Sequence, residues 1–277
     1  KKGNFKNALD FIEQSIDRNA KNGKAYVLKS ICLRGLNVHS EAETICQKAL
    51  LRDAFNIGCL FELLLIHQKT ENTETVKTLL VQKEKLGSEN TNNYIEFALD
   101  YLEANLFLEA IQLLLFAEKS GADNPLLYYH LAYCYAKAGD NKRSNEYLKN
   151  ALRKEPGAVF PNKLEEIGIL QFALNASPED GYAAYYLGNL WYDKRNYEEA
   201  IQMWELSVQR NPYFATSYRN LGIAYFNKKQ DYSSALQFFE KAFALDTSDA
   251  RVLMELDQLK KRLNYPAAER LAFLKNH

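Results

Sequence analysis

The sequence lacks an excess of charge of either sign: 35 lysines and arginines balance 35 aspartates and glutamates over 277 residues. This argues against nucleic acid as a general partner, because a phosphate backbone is bound by a basic excess or a basic stripe. No apolar run reaches the roughly 18 residues that a membrane-spanning helix needs. The four cysteines, Cys32, Cys46, Cys59 and Cys134, show no CxxC or other metal-type spacing. They read as small residues in helical patterns, either free thiols of a reducing compartment or simply buried. There is no glycine-rich phosphate loop, since GNLWYDKR (188–195) reads as a helix and its turn. The histidines His39, His67, His130 and His277 are dispersed, and none has a second ligand at metal spacing. Glu165 and Glu166 read as a solvated face or as the acidic first turn of a helix. Nothing marks two carboxylates held across a pocket, as glycoside hydrolysis requires. The expectation is no catalytic residue, no metal, no cofactor and no enzymatic activity in this chain.

A methionine or signal segment at the start is also missing. The opening KKGNFKNALDFIEQSI aligns with YDKRNYEEAIQMWELSV at 192–208, which puts residue 1 in the middle of a helical hairpin. The expectation is therefore a piece of a longer protein that ends near its natural C-terminus at His277. A cytoplasmic location is expected, although the absent N-terminus withholds any targeting signal.

What is present is repetition. Two near-copies of one helical hairpin run from Ala183 to Pro212 and from Ala215 to Asp249. Leu187-Gly188 and Trp191 recur as Leu221-Gly222 and Tyr225, 34 residues on, the spacing of a two-helix repeat. Ala200 and Trp204 recur as Ala235 and Phe239 one residue later than that, which implies an inserted residue near Lys228 to Asp231. Leu187 and Trp191 are four apart, as are Ala200 and Trp204, so each pair shares a helix face. Glycine inside a helix costs roughly 1 kcal/mol relative to alanine. Its recurrence at one register position points to close approach of two helices, with the aromatics, Trp191 included, filling the space between them.

The same register runs through most of the chain. A second helix at Phe5 to Asn19 carries Ala8 and Ile12, and hairpins follow at Tyr26–Leu36 with Ser40–Leu51 and at Phe55–Gln68 with Thr73–Lys85. Ala42 holds the close-approach position in one, whereas Leu63-Leu64 and Val76 replace the usual small residues in the next. Tyr94, Ala98 and Tyr101 with Ala110 and Leu114 form another hairpin. Tyr128, Leu131, Ala132 and Tyr135 with Ser144, Leu148 and Ala151 form one more, turning at Ala138-Gly139-Asp140. Pro156 and Pro178 then leave room for one helix only, at Asn162 to Leu174, preceded by GAVFP. The interval reads as a degenerate repeat or as a notch where something docks. Asp249–Arg262 and Pro266–Lys275, with Ala268 at the close-approach position, read as a terminal hairpin.

The Leu-Gly, Trp or Tyr, Ala, aromatic and Pro positions at this spacing resemble the tetratricopeptide repeat family. The resemblance is strongest from Tyr182 to Ser248. FPNKLEEIGIL (160–170), YYLGNLWYDKRNYEEAI (185–201) and RNLGIAYFNKK (219–229) more narrowly resemble the C-terminal repeat region of large bacterial multidomain proteins. Those proteins carry an uncharacterised, carbohydrate-related N-terminal domain. The resemblance implies an all-α fold, a right-handed superhelix of antiparallel helix hairpins. It would form a single array over 1–277, with an incomplete first repeat at 1–20, an interrupted repeat at 157–178, the strongest repeats at 181–248 and a C-terminal cap at 249–277.

The family's groove-facing positions carry over to Tyr185, Asn189 and Tyr192, to Arg219, Asn220, Ile223 and Phe226, and to Tyr129, Tyr133 and Ala136. A carboxylate clamp of the kind some members use is not expected, because Tyr185 stands where the clamp has lysine, and Ala250 and Met254 replace the other basic residues. The implied function is a scaffold for protein interaction or assembly. Its partner would be a protein or peptide, the N-terminal domain of its own parent chain, or a second copy. The alternative is a structural or access-shaping domain of a carbohydrate-active enzyme, with the tyrosines stacking on sugar rings.

Overall fold

Asparagine and aspartate start many of these helices, because their short side chains reach back to an unpaired backbone N–H of the first turn. Asn22 Oδ1 accepts from Ala25 N, Asn56 Oδ1 from Cys59 N, and Asp180 Oδ1 from both Tyr182 N and Ala183 N. The computed structural model describes residues 4–85, 91–121, 124–157 and 159–275. His277, the Ala158 of GAVFP and the outermost residues of both end repeats lie outside the described residues.

The first compact unit spans Lys1–Ser144. It contains α1 (Phe5–Arg18), α2 (Gly23–Gly35), α3 (His39–Leu50), α4 (Ile57–Lys69), α5 (Thr73–Lys85), α6 (Thr91–Glu103), α7 (Phe107–Lys119) and α8 (Pro125–Lys137). It ends in the first turn of α9 (Asn141–Leu152). Within it α2 packs on α3, α4 on α5 and α6 on α7, while the leading helices α2, α4, α6 and α8 also touch in succession. The second unit, Asn145–His277, continues from α9 through α10 (Glu165–Ala176), α11 (Gly181–Asp193) and α12 (Tyr197–Arg210). It then runs through α13 (Ala215–Ala224), α14 (Tyr232–Leu245), α15 (Ala250–Arg262) and α16 (Ala267–Lys275). From α10 onward each helix packs on the next. Among the described residues every regular element is helical.

The turn inside each hairpin is built alike. One residue takes the left-handed conformation, and the residue after it donates its N–H back into the leading helix. Asn37, Glu71, Asn105, Gly139, Arg195, Gln230 and Asn264 all have positive φ. Asn196 N, for example, bonds Trp191 O at 2.8 Å, and Asp140 N bonds Tyr135 O at 2.9 Å. The inserted residue expected near Lys228 to Asp231 is absorbed here, as Tyr225–Lys229 form a π-helical turn and Asp231 N bonds Tyr225 O at 3.1 Å.

The core follows the small-and-large alternation. Ala42, Ala110, Ala200 and Ala235 are fully buried at the close-approach position, and Ser144 is buried in the same role. A Cβ added to Gly188 would stand 2.5 Å from Trp204 Cδ1, and one added to Gly222 would stand 2.7 Å from Phe239 Cδ1. These two ring systems occupy the space the glycines leave. Two expectations differ from the structure. Trp191 is only half-buried, because Trp204 takes the inter-helix space opposite Gly188. Ala268 is exposed, because α16 is held mainly through Phe273, whose ring packs edge-on to Phe243 of α14, and through the Arg270–Asp257 ion pair to α15.

The cysteines are all buried and free. Burial pushes the Cys32 thiol up to about 11 and the Cys134 thiol up to about 12. Charge is also buried in the first unit. Glu62 on α4 is 0% exposed and accepts from Arg34 Nε at 3.0 Å, Arg34 Nη2 at 3.2 Å, Ser30 Oγ at 3.3 Å and the Tyr101 hydroxyl at 2.5 Å. Arg34 Nη1 reaches on to Glu109 at 3.1 Å, so one guanidinium ties α2, α4 and α7 together.

Candidate protein-binding groove

The leading helices α11, α13 and α15 of the second unit present the side chains that a groove would use. Asn189, in the middle of α11, is the junction of a small polar network. Its Oδ1 accepts from Trp204 Nε1 at 3.1 Å and from Asn220 Nδ2 at 3.0 Å. Indole N–H can only donate, which fixes the orientation of the Asn189 amide and turns its Nδ2 toward Tyr185. That nitrogen is shut from solvent beside the Tyr185 hydroxyl. Asn220 has spent its Nδ2 on Asn189, so its Oδ1 stands as an acceptor. The bond between the two asparagines thus ties α11 to α13 and positions the Asn220 Oδ1 acceptor.

These two asparagines line a cavity of about 390 Å³ together with Tyr192, Ile223, Trp204, Asp193, Phe160, Pro161 and Asn162. Its far wall is the chain between α9 and α10. There the strap 159–164 runs where the leading helix of a complete repeat would stand, and two contacts hold it. Glu166, buried in the first turn of α10, accepts from Asn162 N at 2.7 Å and Lys163 N at 2.8 Å. Lys194, at the end of α11, donates to Asn162 O at 2.8 Å and to Asp193 Oδ2 at 2.8 Å. Glu166 is therefore a buried capping group, while Glu165 is exposed.

Of the residues singled out by register, Asn189, Tyr192, Asn220 and Ile223 meet in this one cavity. Tyr185 is 3% exposed, with its ring edge-on to Phe214 at 4.9 Å. Burial pushes the Tyr185 and Tyr192 hydroxyls above the ordinary tyrosine value, so both remain neutral hydrogen-bonding groups at physiological pH. Arg219 is engaged by Glu255 of α15, through Nε at 2.9 Å and Nη2 at 2.5 Å. Phe226 packs on Tyr232 and lies under the Arg262 guanidinium. Tyr129 and Tyr133 belong to α8 of the first unit, where Tyr129 is 0% exposed and Tyr133 lies under Lys137 Nζ at 5.1 Å. Register did not reach Phe160, Pro161, Asn162, Asp193 and Trp204 as lining residues. The short interval from Pro156 to Pro178 was the signal for the first three.

Profiles described as Tetratricopeptide repeat match residues 95–159, 168–213 and 214–245, together more than half of the sequence. The chain belongs to the tetratricopeptide repeat family. Solved structures align over much of the chain with low identity. YrrB, described as a TPR protein with an unusual peptide-binding site, is 17% identical, with 88% of this chain and 96% of that chain covered and a TM-score of 0.32. MamA protein is 17% identical over 67% of this chain and 88% of that chain, with a TM-score of 0.39. The first TPR of Spaghetti (RPAP3), bound to HSP90 peptide SRMEEVD, is 15% identical over 51% of this chain and 94% of that chain, with a TM-score of 0.35. At these scores they say nothing about what this repeat array binds. Among the described residues no group of three His, Cys, Asp or Glu side chains could hold a metal ion, and no helix is long and apolar enough to cross a membrane.

Proposed function

We propose that this tetratricopeptide repeat chain is a protein-interaction scaffold whose second unit holds an extended segment of a partner protein along α11 and α13. The observation that carries the reading is the Asn189–Asn220 pair on the wall of the cavity. A partner N–H entering there reaches Asn220 Oδ1, which the bond from Asn220 Nδ2 to Asn189 Oδ1 holds in place. Tyr192 and Ile223 supply apolar area beside the pair. Arg219 acts from its ion pair with Glu255, holding α13 against α15, and Tyr185 backs Asn189 from below. Phe226 extends the groove face where α13 passes into its π-helical turn, whereas Tyr129 is fully buried and, like Tyr133, belongs to the first unit.

The partner is a protein segment from the N-terminal domain of a longer parent chain or from a second copy. Support for the parent chain is the resemblance of 160–170, 185–201 and 219–229 to bacterial multidomain proteins with a carbohydrate-related N-terminal domain. The place of action that goes with free buried thiols is the cytoplasm.

A selection from a random-peptide phage library on the purified chain tests the reading. Clones should enrich on the wild-type chain, and their binding should fall by about tenfold or more in Asn189→Ala and in Asn220→Ala. Both variants should keep the wild-type circular dichroism. Clones that bind both variants as well as wild type would remove the groove.

A further inference from the structure

The interrupted repeat gives the groove something a regular hairpin array lacks. Where a complete repeat would place a helix beside α11, the strap 159–164 leaves an open recess of about 390 Å³. Its walls are Phe160 and Pro161 on one side and Tyr192, Ile223 and the edge of Trp204 on the other. Phe160 is 59% exposed at the mouth, yet the strap behind it is pinned by Glu166 and Lys194. A large ring held at the surface by buried and charged anchors is preorganised for contact. Among the described residues Asp193 is the one charged side chain lining the recess, and Lys194 Nζ pairs with it at 2.8 Å. A charged side chain entering would lose water against a lining that is mostly apolar or amide, whereas an apolar one gains contact on both sides. The volume lies at the small end of ligand pockets, enough for one large side chain and the peptide unit that carries it.

We infer that this recess is a side-chain specificity pocket that admits one large uncharged apolar residue, of leucine to tryptophan size, of the segment held by Asn189 and Asn220. The inference rests on the groove reading above. The asparagines bind any extended backbone, and the strap selects which residue stands between Phe160 and Ile223. The interruption is then the element that gives a sequence-blind groove its preference.

The test uses the peptides selected from the same random-peptide phage library. They should share a leucine, isoleucine, methionine, phenylalanine or tryptophan at one fixed position. Phe160→Ala should weaken such a peptide by about tenfold, and replacing the fixed apolar residue by alanine should weaken it by a similar factor. On that alanine peptide Phe160→Ala should change affinity by less than about twofold, the coupling expected of two groups in contact. Phe160→Leu should restore most of the loss. Peptides that depend on Asn189 but show no fixed apolar position, or that ignore Phe160→Ala, would overturn the pocket and leave the groove standing. If no peptide depends on Asn189, the groove reading and the pocket both fall.

Discussion

Glycine has opposite roles at three helical positions of this chain, and the difference lies in what a methyl group would meet. At Gly188 and Gly222 an added Cβ would stand within 3 Å of the Trp204 and Phe239 rings. At Gly168, inside α10, nothing lies within 4 Å. Alanine gains up to roughly 1 kcal/mol of helix propensity at each site, but overpacking a filled interface costs about 1–3 kcal/mol. Gly188→Ala and Gly222→Ala should therefore lower the urea midpoint, whereas Gly168→Ala should raise it by an amount equal to about 0.5–1 kcal/mol. A stabilising Gly188→Ala would mean that Trp204 moves aside freely, contrary to the packing described.

At the scale of the element, the helices were legible because the two strongest hairpins repeat one pattern, a small residue on one helix facing an aromatic on the other. Leu187-Gly188 with Ala200 and Leu221-Gly222 with Ala235 set the register, and the one-residue mismatch between the copies located the π-helical turn at Tyr225–Lys229. The end helix was less legible. NYPAAERLAFL resembles the second helix of a strong repeat, yet Ala268 is exposed, since no further helix packs on α16 among the described residues to complete the alternation. The site divides in the same way. Asn189, Asn220, Tyr192 and Ile223 follow from register on α11 and α13, whereas Phe160, Pro161 and Asn162 reach the cavity through the Lys194 and Glu166 contacts, which no local periodicity encodes.

With little packing, α16 should depend on the Arg270 bonds to Asp257, Nε at 2.8 Å and Nη2 at 2.7 Å. Those bonds hold the Asp257 carboxyl below its ordinary value. A depressed carboxylate contributes stability at pH values above its unfolded value and loses it as pH falls through the folded one. Acidification below the ordinary aspartate range should release α16 before the rest of the second unit. The Phe273 ring resonances followed by NMR should shift toward solvent-exposed values there, and Asp257→Asn should produce the same shift at neutral pH. Phe273 resonances that ignore both changes would show that the ring contacts alone hold the helix.

A stack of hairpins gains its stability from neighbours, so a local defect should remain local. The Arg34–Glu62–Tyr101–Glu109 cluster offers the sharpest case for the whole molecule, because its members sit on α2, α4, α6 and α7 of one compact unit. Removing the cation in Arg34→Met leaves the fully buried Glu62 carboxylate with Ser30 and Tyr101 as its partners among the described residues. Breaking a buried pair in this manner costs about 3–5 kcal/mol, much of which a second change that removes the orphaned charge restores. Hydrogen exchange in Arg34→Met should therefore accelerate across α2 to α7, while the amides of α11 to α15 keep their wild-type protection. Arg34→Met with Glu62→Leu should recover most of the lost protection in the first unit. If the single substitution loosens α11 to α15 equally, the chain unfolds as one cooperative body, and the nearest-neighbour account of its stability fails.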